Sequence, residues 1–132
     1  MIVIDASAVA DLLLRIEPRA TRIRERIGRP GESLHAPHLI DAEVLQTLRR
    51  YALRSDLSPE RSMEALSDLA GLVVTRYPHT PLSGRIWELK DNLTAYDSCY
   101  VALAEALGAP LVTTDGSLAR ASGSHAEVEL YE

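Results

Sequence analysis

Short apolar runs alternate with segments of helical periodicity along this chain, and that alternation leaves few folds open to it. Residues 2–5 (IVID) form a β-branched run, and residues 33–36, 72–75, 111–114 and 127–131 give further extended stretches. Between them lie helical patterns. Residues 7–14 give the first, and a second opens at Pro18 with Ile23 and Ile27 as its apolar stripe, ended by Gly28, Pro30 and Gly31. A long helix follows Pro37 to about residue 54, with Ile40, Val44, Leu48 and Tyr51 on its inner face. Ser58 and Pro59 have the chemistry of an N-cap and first helical position for a helix stopped by Gly71. Pro81 opens another to about residue 93, and residues 96–107 make a largely apolar helix capped by Gly108. Strands separated by helices pair in parallel, with helices on both sheet faces. The expectation is therefore an α/β protein: one domain over residues 1–132, three α/β/α layers, and a central parallel sheet of four to five strands.

In open parallel sheets, function gathers beyond the carboxyl ends of the strands. Two runs end there in aspartate: IVI is followed by Asp5 and LVTT by Asp115. Each alone reads as a helix N-cap, because a helix follows both. Asp97 shifts the balance. It opens the apolar 96–107 helix, where a carboxylate needs partners because a buried lone charge is costly. On the long helix Glu43 falls at one edge of the apolar stripe and Asp41 at the other, and periodicity does not choose between them. Carboxylates gathered in one place repel unless protonated or bridged by cations, and hard divalent ions such as Mg²⁺ or Mn²⁺ take oxygen ligands. The matching chemistry is phosphodiester hydrolysis, in which one ion activates water and a second, roughly 4 Å away, stabilises the leaving oxygen.

Composition narrows the alternatives. One cysteine, Cys99, permits no internal disulfide, and His35, His38, His79 and His125 show no zinc spacing. The N-terminal run carries Asp5 and Asp11 without a preceding basic residue, and no apolar stretch reaches membrane-spanning length, so a cytoplasmic protein is expected. A net charge of −5 argues against a protein that coats nucleic acid without specificity. Arginine supplies nearly all the positive charge, with Lys90 the single lysine. Arg19, Arg22, Arg26 and Arg29 recur at helical spacing, and Arg49, Arg50 and Arg54 form a second group. Both sets read either as solvated helix faces or as guanidinium rims that grip phosphate.

The segments MIVIDASA, DAEVLQTLRR and LTAYDSCYVALAEALGAPLVTTDGSLARA resemble the PIN domain, and more narrowly the VapC-type toxins of bacterial toxin–antitoxin pairs, over nearly the whole chain. The resemblance implies an acidic centre of Asp5, Glu43, Asp97 and Asp115, choosing Glu43 over Asp41, with Ser7 and Thr113 as polar groups that orient carboxylates or water. It also implies Mg²⁺- or Mn²⁺-dependent endoribonuclease activity on tRNA or rRNA loops, a homodimer, and a cognate VapB-type antitoxin. Other phosphate chemistries fit less well. An aspartyl phosphatase wants a second Asp where Ser7 stands, and a phosphoacceptor domain needs a lysine after a strand, which Lys90 does not provide. A non-catalytic interaction module of the same fold is the alternative from a different class, and a purely structural carboxylate network is another.

Overall fold

The computed structural model describes all residues, 1–132. Five strands, β1 (Ile2–Ile4), β2 (Leu34–Pro37), β3 (Val74–Tyr77), β4 (Leu111–Thr113) and β5 (Val128–Leu130), form one sheet in the order β3-β2-β1-β4-β5. Every pairing is parallel: β1 registers Ile2 with Leu34 of β2 on one side, and Ile4 with Val112 of β4 on the other. The expected α/β class and strand number are borne out. The chain first winds outward from β1 through β2 to β3, then returns to lay β4 and β5 on the opposite flank. β1 and β4 are thus neighbours in space at the point where the winding reverses, which is where such sheets open a crevice.

Seven helices cover the sheet: α1 (Ala6–Leu14), α2 (Arg19–Ile27), α3 (Ile40–Leu53), α4 (Pro59–Gly71), α5 (Ser83–Glu88), α6 (Ala95–Leu107) and α7 (Gly116–Arg120). Helix α1 packs against α2, α3 and α4, whereas α6 lies along β1, β2 and β4 and is flanked by α5. With helices on both sides, β1 is apolar at every position, and Ile2, Val3 and Ile4 are wholly buried with Val101, Leu111 and Val112. Each such side chain contributes roughly 1.5–3 kcal/mol of burial energy.

Several element ends differ from the sequence expectation by a residue or more, and three of them have a visible cause. The helix before β3 runs through Gly71, and the strand starts at Val74 instead of residue 72, because Leu72 closes the helix and Val73 stands in solvent, 87% exposed. The helix opened by Pro81 begins as a 3-10 turn (Thr80–Leu82) and ends at Glu88, well short of residue 93. Helix α6 starts at Ala95, one residue early, because Thr94 is its N-cap and accepts the Asp97 amide at 3.1 Å.

Candidate active site

The crevice at the winding reversal is a cleft of about 450 Å³, and its lining includes Asp5, Glu43, Asp97 and Asp115 together with Ser7. Four separate elements deliver these carboxylates. Asp5 and Asp115 emerge just beyond β1 and β4, Glu43 projects from the first turn of α3, and Asp97 from the first turn of α6. Asp41 is held elsewhere, in a two-pronged pair with Arg76 of β3 at 2.6 and 2.8 Å.

Asp5 is the most constrained of the four, only 4% exposed. Its Oδ1 accepts the Ala8 amide at 2.9 Å and the Ser7 hydroxyl at 2.7 Å, and its Oδ2 accepts the Thr113 hydroxyl at 2.5 Å. The capping role and the cleft role therefore coexist in one side chain. Asp115 repeats the arrangement: Oδ1 caps α7 through the Ser117 amide (2.9 Å) and hydroxyl (2.6 Å). Ser7 also accepts the Thr114 amide at 3.1 Å, so the α1 start is tied to the end of β4. Thr113 itself is fully buried. Ser7 and Thr113 thus sit directly behind Asp5 and fix its orientation.

Burial pushes the Asp5 carboxyl up to about 6, against the downward pull of its three hydrogen bonds, and the charge of Asp97 adds to the rise. Glu43 is raised by burial and again by Asp97, while Asp97 is raised by burial and by Asp115. Asp97 is therefore the electrostatic hub of the cluster. None of the four carboxylates makes an ion pair with Lys or Arg, although acidic groups elsewhere in the chain do. As the side chains are oriented, no three His, Cys, Asp or Glu groups stand close enough together to hold a metal ion. The all-oxygen donor set nonetheless has the chemistry of a hard divalent cation site.

The sequence profile of the PIN domain matches residues 2–124. The chain belongs to the PIN-domain family. Ribonuclease VapC1 of Mycobacterium tuberculosis is 45% identical over 130 residues, covering 97% of this chain and 96% of that protein. Among solved structures, M. tuberculosis VapC20, described as a sarcin-ricin loop cleaving toxin, superposes with a TM-score of 0.70 at 16% identity, over 94% of this chain and 96% of that one. VapBC2 from Rickettsia felis, bound to a DNA fragment from its promoter, gives 0.70 at 13% identity over the full length of both chains. At those identities the structures speak for the fold alone.

This PIN domain carries two cleft groups that sequence reasoning passed over. Tyr100, one turn beyond Asp97 on α6, is 1% exposed and donates its hydroxyl to Glu43 Oε1 at 2.7 Å. Burial, and then the neighbouring Glu43 carboxylate, hold that phenol far above its usual range. The i, i+3 spacing from Asp97 was the available signal. Arg50 is the one basic side chain lining the cleft, its guanidinium reaching Thr47 Oγ1 at 3.2 Å.

The remaining arginines divide differently from either sequence reading. Arg26 is neither solvated nor free for phosphate: it is 7% exposed and held by Glu32 and by Glu129, the latter at 2.8 and 3.2 Å. Arg19 pairs with Asp11 at 2.7 Å, and Arg54 with Asp56 at 3.2 Å. Lys90 lies over the Trp87 ring, outside the carboxylate cleft. Cys99 packs in α6 with 7% exposure.

Proposed function

We propose that this chain is a single PIN domain over residues 1–132 that acts as the endoribonuclease toxin of a VapBC pair, with Asp5, Glu43, Asp97 and Asp115 as its catalytic carboxylates and Mg²⁺ or Mn²⁺ as cofactor. One observation carries the reading. Four carboxylates, delivered by elements far apart in sequence, line one cleft at the reversal of the parallel sheet, and none of them forms an ion pair with lysine or arginine. The ribonuclease assignment is supported by the 45% identity to a protein named Ribonuclease VapC1 over nearly the full length of both. A VapB-type antitoxin partner is part of the proposal because the relatives at 39–45% identity are VapC proteins. A homodimer and a cytoplasmic setting complete the proposal, and no helix is long and apolar enough to cross a membrane.

The division of labour follows from each group's surroundings. Asp5, Asp97 and Asp115 would hold the cation, with Glu43 as a further ligand or as the group that positions a water. A divalent ion there supplies Lewis-acid stabilisation of charge on a phosphate. Asp5 is locked by Ser7, Thr113 and the Ala8 amide, so it is the fixed reference point of the site. Glu43, Asp97 and Asp115 are only partly buried, so their side chains are less constrained than that of Asp5. Tyr100 keeps Glu43 directed into the cleft through its 2.7 Å bond. Arg50 faces the phosphate backbone of an RNA strand from the α3 wall.

The test is to map the ends of cleaved RNA from wild-type protein and from Asp5→Asn, each with Mg²⁺ and with chelator. New ends that require both Asp5 and the metal are expected. Cutting that survives Asp5→Asn or chelation overturns the reading, and a folded wild-type protein that binds no Mn²⁺ favours the non-catalytic module.

A further inference from the structure

A second groove opens beside the carboxylate cleft. It has a volume of about 290 Å³, and Leu39 and Tyr96 line both cavities. Ile86 and Trp87 of α5 form its apolar wall, and His79 and Ser83 supply its polar groups. Tyr96 and Trp87 are exposed by 67% and 69%, and one face of Trp87 is already covered by the Lys90 ammonium, 5.3 Å from the ring centre.

Resting on the nuclease reading above, we propose that this groove is a nucleobase subsite: it takes a base of single-stranded RNA next to the phosphate held at the carboxylates, stacked against Tyr96 and Trp87. Three observations carry it. First, Tyr96 immediately precedes Asp97 on α6 and borders both cavities, so a strand with a phosphate at Asp97 has its adjacent base at Tyr96. Secondly, the two sides of the cleft differ in chemistry. Arg50 lies on the α3 side, suited to backbone phosphate, and an apolar aromatic groove lies on the α5–α6 side, suited to a base. Thirdly, the size is right for one planar group, since cavities for whole small ligands begin at about 300 Å³. Aromatic faces bind unpaired bases by stacking. The Ser83 hydroxyl donates to Thr80 O at 2.8 Å, which leaves its oxygen to accept from a base amino group.

Trp87 is the only tryptophan, so it reports on the groove directly. The experiment uses the whole chain with Mg²⁺, titrated with a short 2′-O-methyl oligoadenylate that resists cutting and followed by tryptophan fluorescence, with anisotropy of a labelled copy run in parallel. Expected is a quench of Trp87 that saturates with the anisotropy. Tyr96→Ala weakens binding by roughly 5- to 150-fold, while Tyr96→Phe keeps it. Both positions are exposed, so neither variant threatens the fold. RNA binding without a Trp87 response, or unchanged affinity in Tyr96→Ala, overturns the subsite. So does a Tyr96→Ala change in sedimentation with RNA affinity intact, which would give the groove to a second copy of the chain. RNA cleavage separates this from the broader reading. If cutting needs Asp5 yet Tyr96→Ala and Trp87→Ala leave KM unaltered, the subsite alone falls. If wild-type protein binds no RNA at all, both fall.

Discussion

The Thr113 hydroxyl donates to Asp5 Oδ2 across a sequence separation of 108 residues, and Thr113 Oγ1 in turn accepts the Asp115 amide at 2.9 Å. One buried hydroxyl therefore couples the two strand ends that carry the site.

Thr113→Val breaks both links. The loss of a bond that pulls the Asp5 pKa down moves the acid limb of the rate profile to higher pH. The orphaned Asp115 amide and the weakened carboxylate shell cost about 1–3 kcal/mol. Activity against pH, together with urea unfolding, reads both effects. An unshifted acid limb rejects the coupling.

Asp5 also gives the fold a pH signature. Its carboxyl is raised in the folded state from 3.8 to about 6. Below about 4 both folded and unfolded chains hold this proton, and the group is neutral toward stability. As pH rises from about 4 to 6 the unfolded chain ionises first, so this residue progressively destabilises the fold, by roughly 3 kcal/mol once above 6. Asp5→Asn removes that cost. In metal-free buffer at pH 7.5 the variant unfolds at higher temperature than wild type, and its advantage disappears near pH 4. Calorimetry at the two pH values decides it.

Divalent cation is expected to offset most of that cost. A ligand that binds only the folded state stabilises it by about 2.7 kcal/mol at a hundredfold excess over Kd. Mn²⁺ therefore raises the melting temperature of wild-type protein, and Asp97→Asn abolishes the rise, because Asp97 bears on both Asp5 and Glu43. An equal Mn²⁺ response in that variant places the cation elsewhere.

Tyr100→Phe removes the hydroxyl that holds Glu43 and nothing else. A bond to a charged acceptor contributes about 1.5–3 kcal/mol. The expected result is a fall in kcat larger than any change in KM, with the melting temperature lowered by about 5–11 °C. A pure KM effect assigns Tyr100 to substrate contact instead.

Arg26→Ala tests the basic face of α2. Removing a buried guanidinium strands Glu32 and Glu129 and costs about 3–5 kcal/mol in urea unfolding. Below its transition the variant cuts RNA at the wild-type rate. A selective loss of RNA affinity contradicts a structural Arg26.

The strand ends were legible because their signal is local: a β-branched run that stops in an acid announces both the strand and the group placed beyond it. Asp97 was legible because a charge opening an apolar helix is conspicuous. Tyr100 was not, since a tyrosine inside such a helix looks like core until its hydroxyl is seen to meet Glu43 from another element. Glu43 and Asp41 flank one stripe, and periodicity does not choose between them; the family resemblance picks Glu43, and in the fold Arg76 of β3 holds Asp41 away from the cleft. Edge strand β3 was misplaced because its apolar lead-in includes the solvent-facing Val73, whereas its true span includes Arg76 and Tyr77. Arg26 carried the periodicity of a surface charge, and its burial depends on Glu129 more than a hundred residues away.

The reversed winding of the sheet has a consequence for synthesis. β1 is made well before its neighbour β4 and the Asp115 beyond it, which follow more than a hundred residues later in the chain. Until then Asp5 lacks Thr113 to orient it, and the crevice has one wall. A chain that stops before β4 therefore lacks both the hydroxyl that orients Asp5 and the strand that carries Asp115.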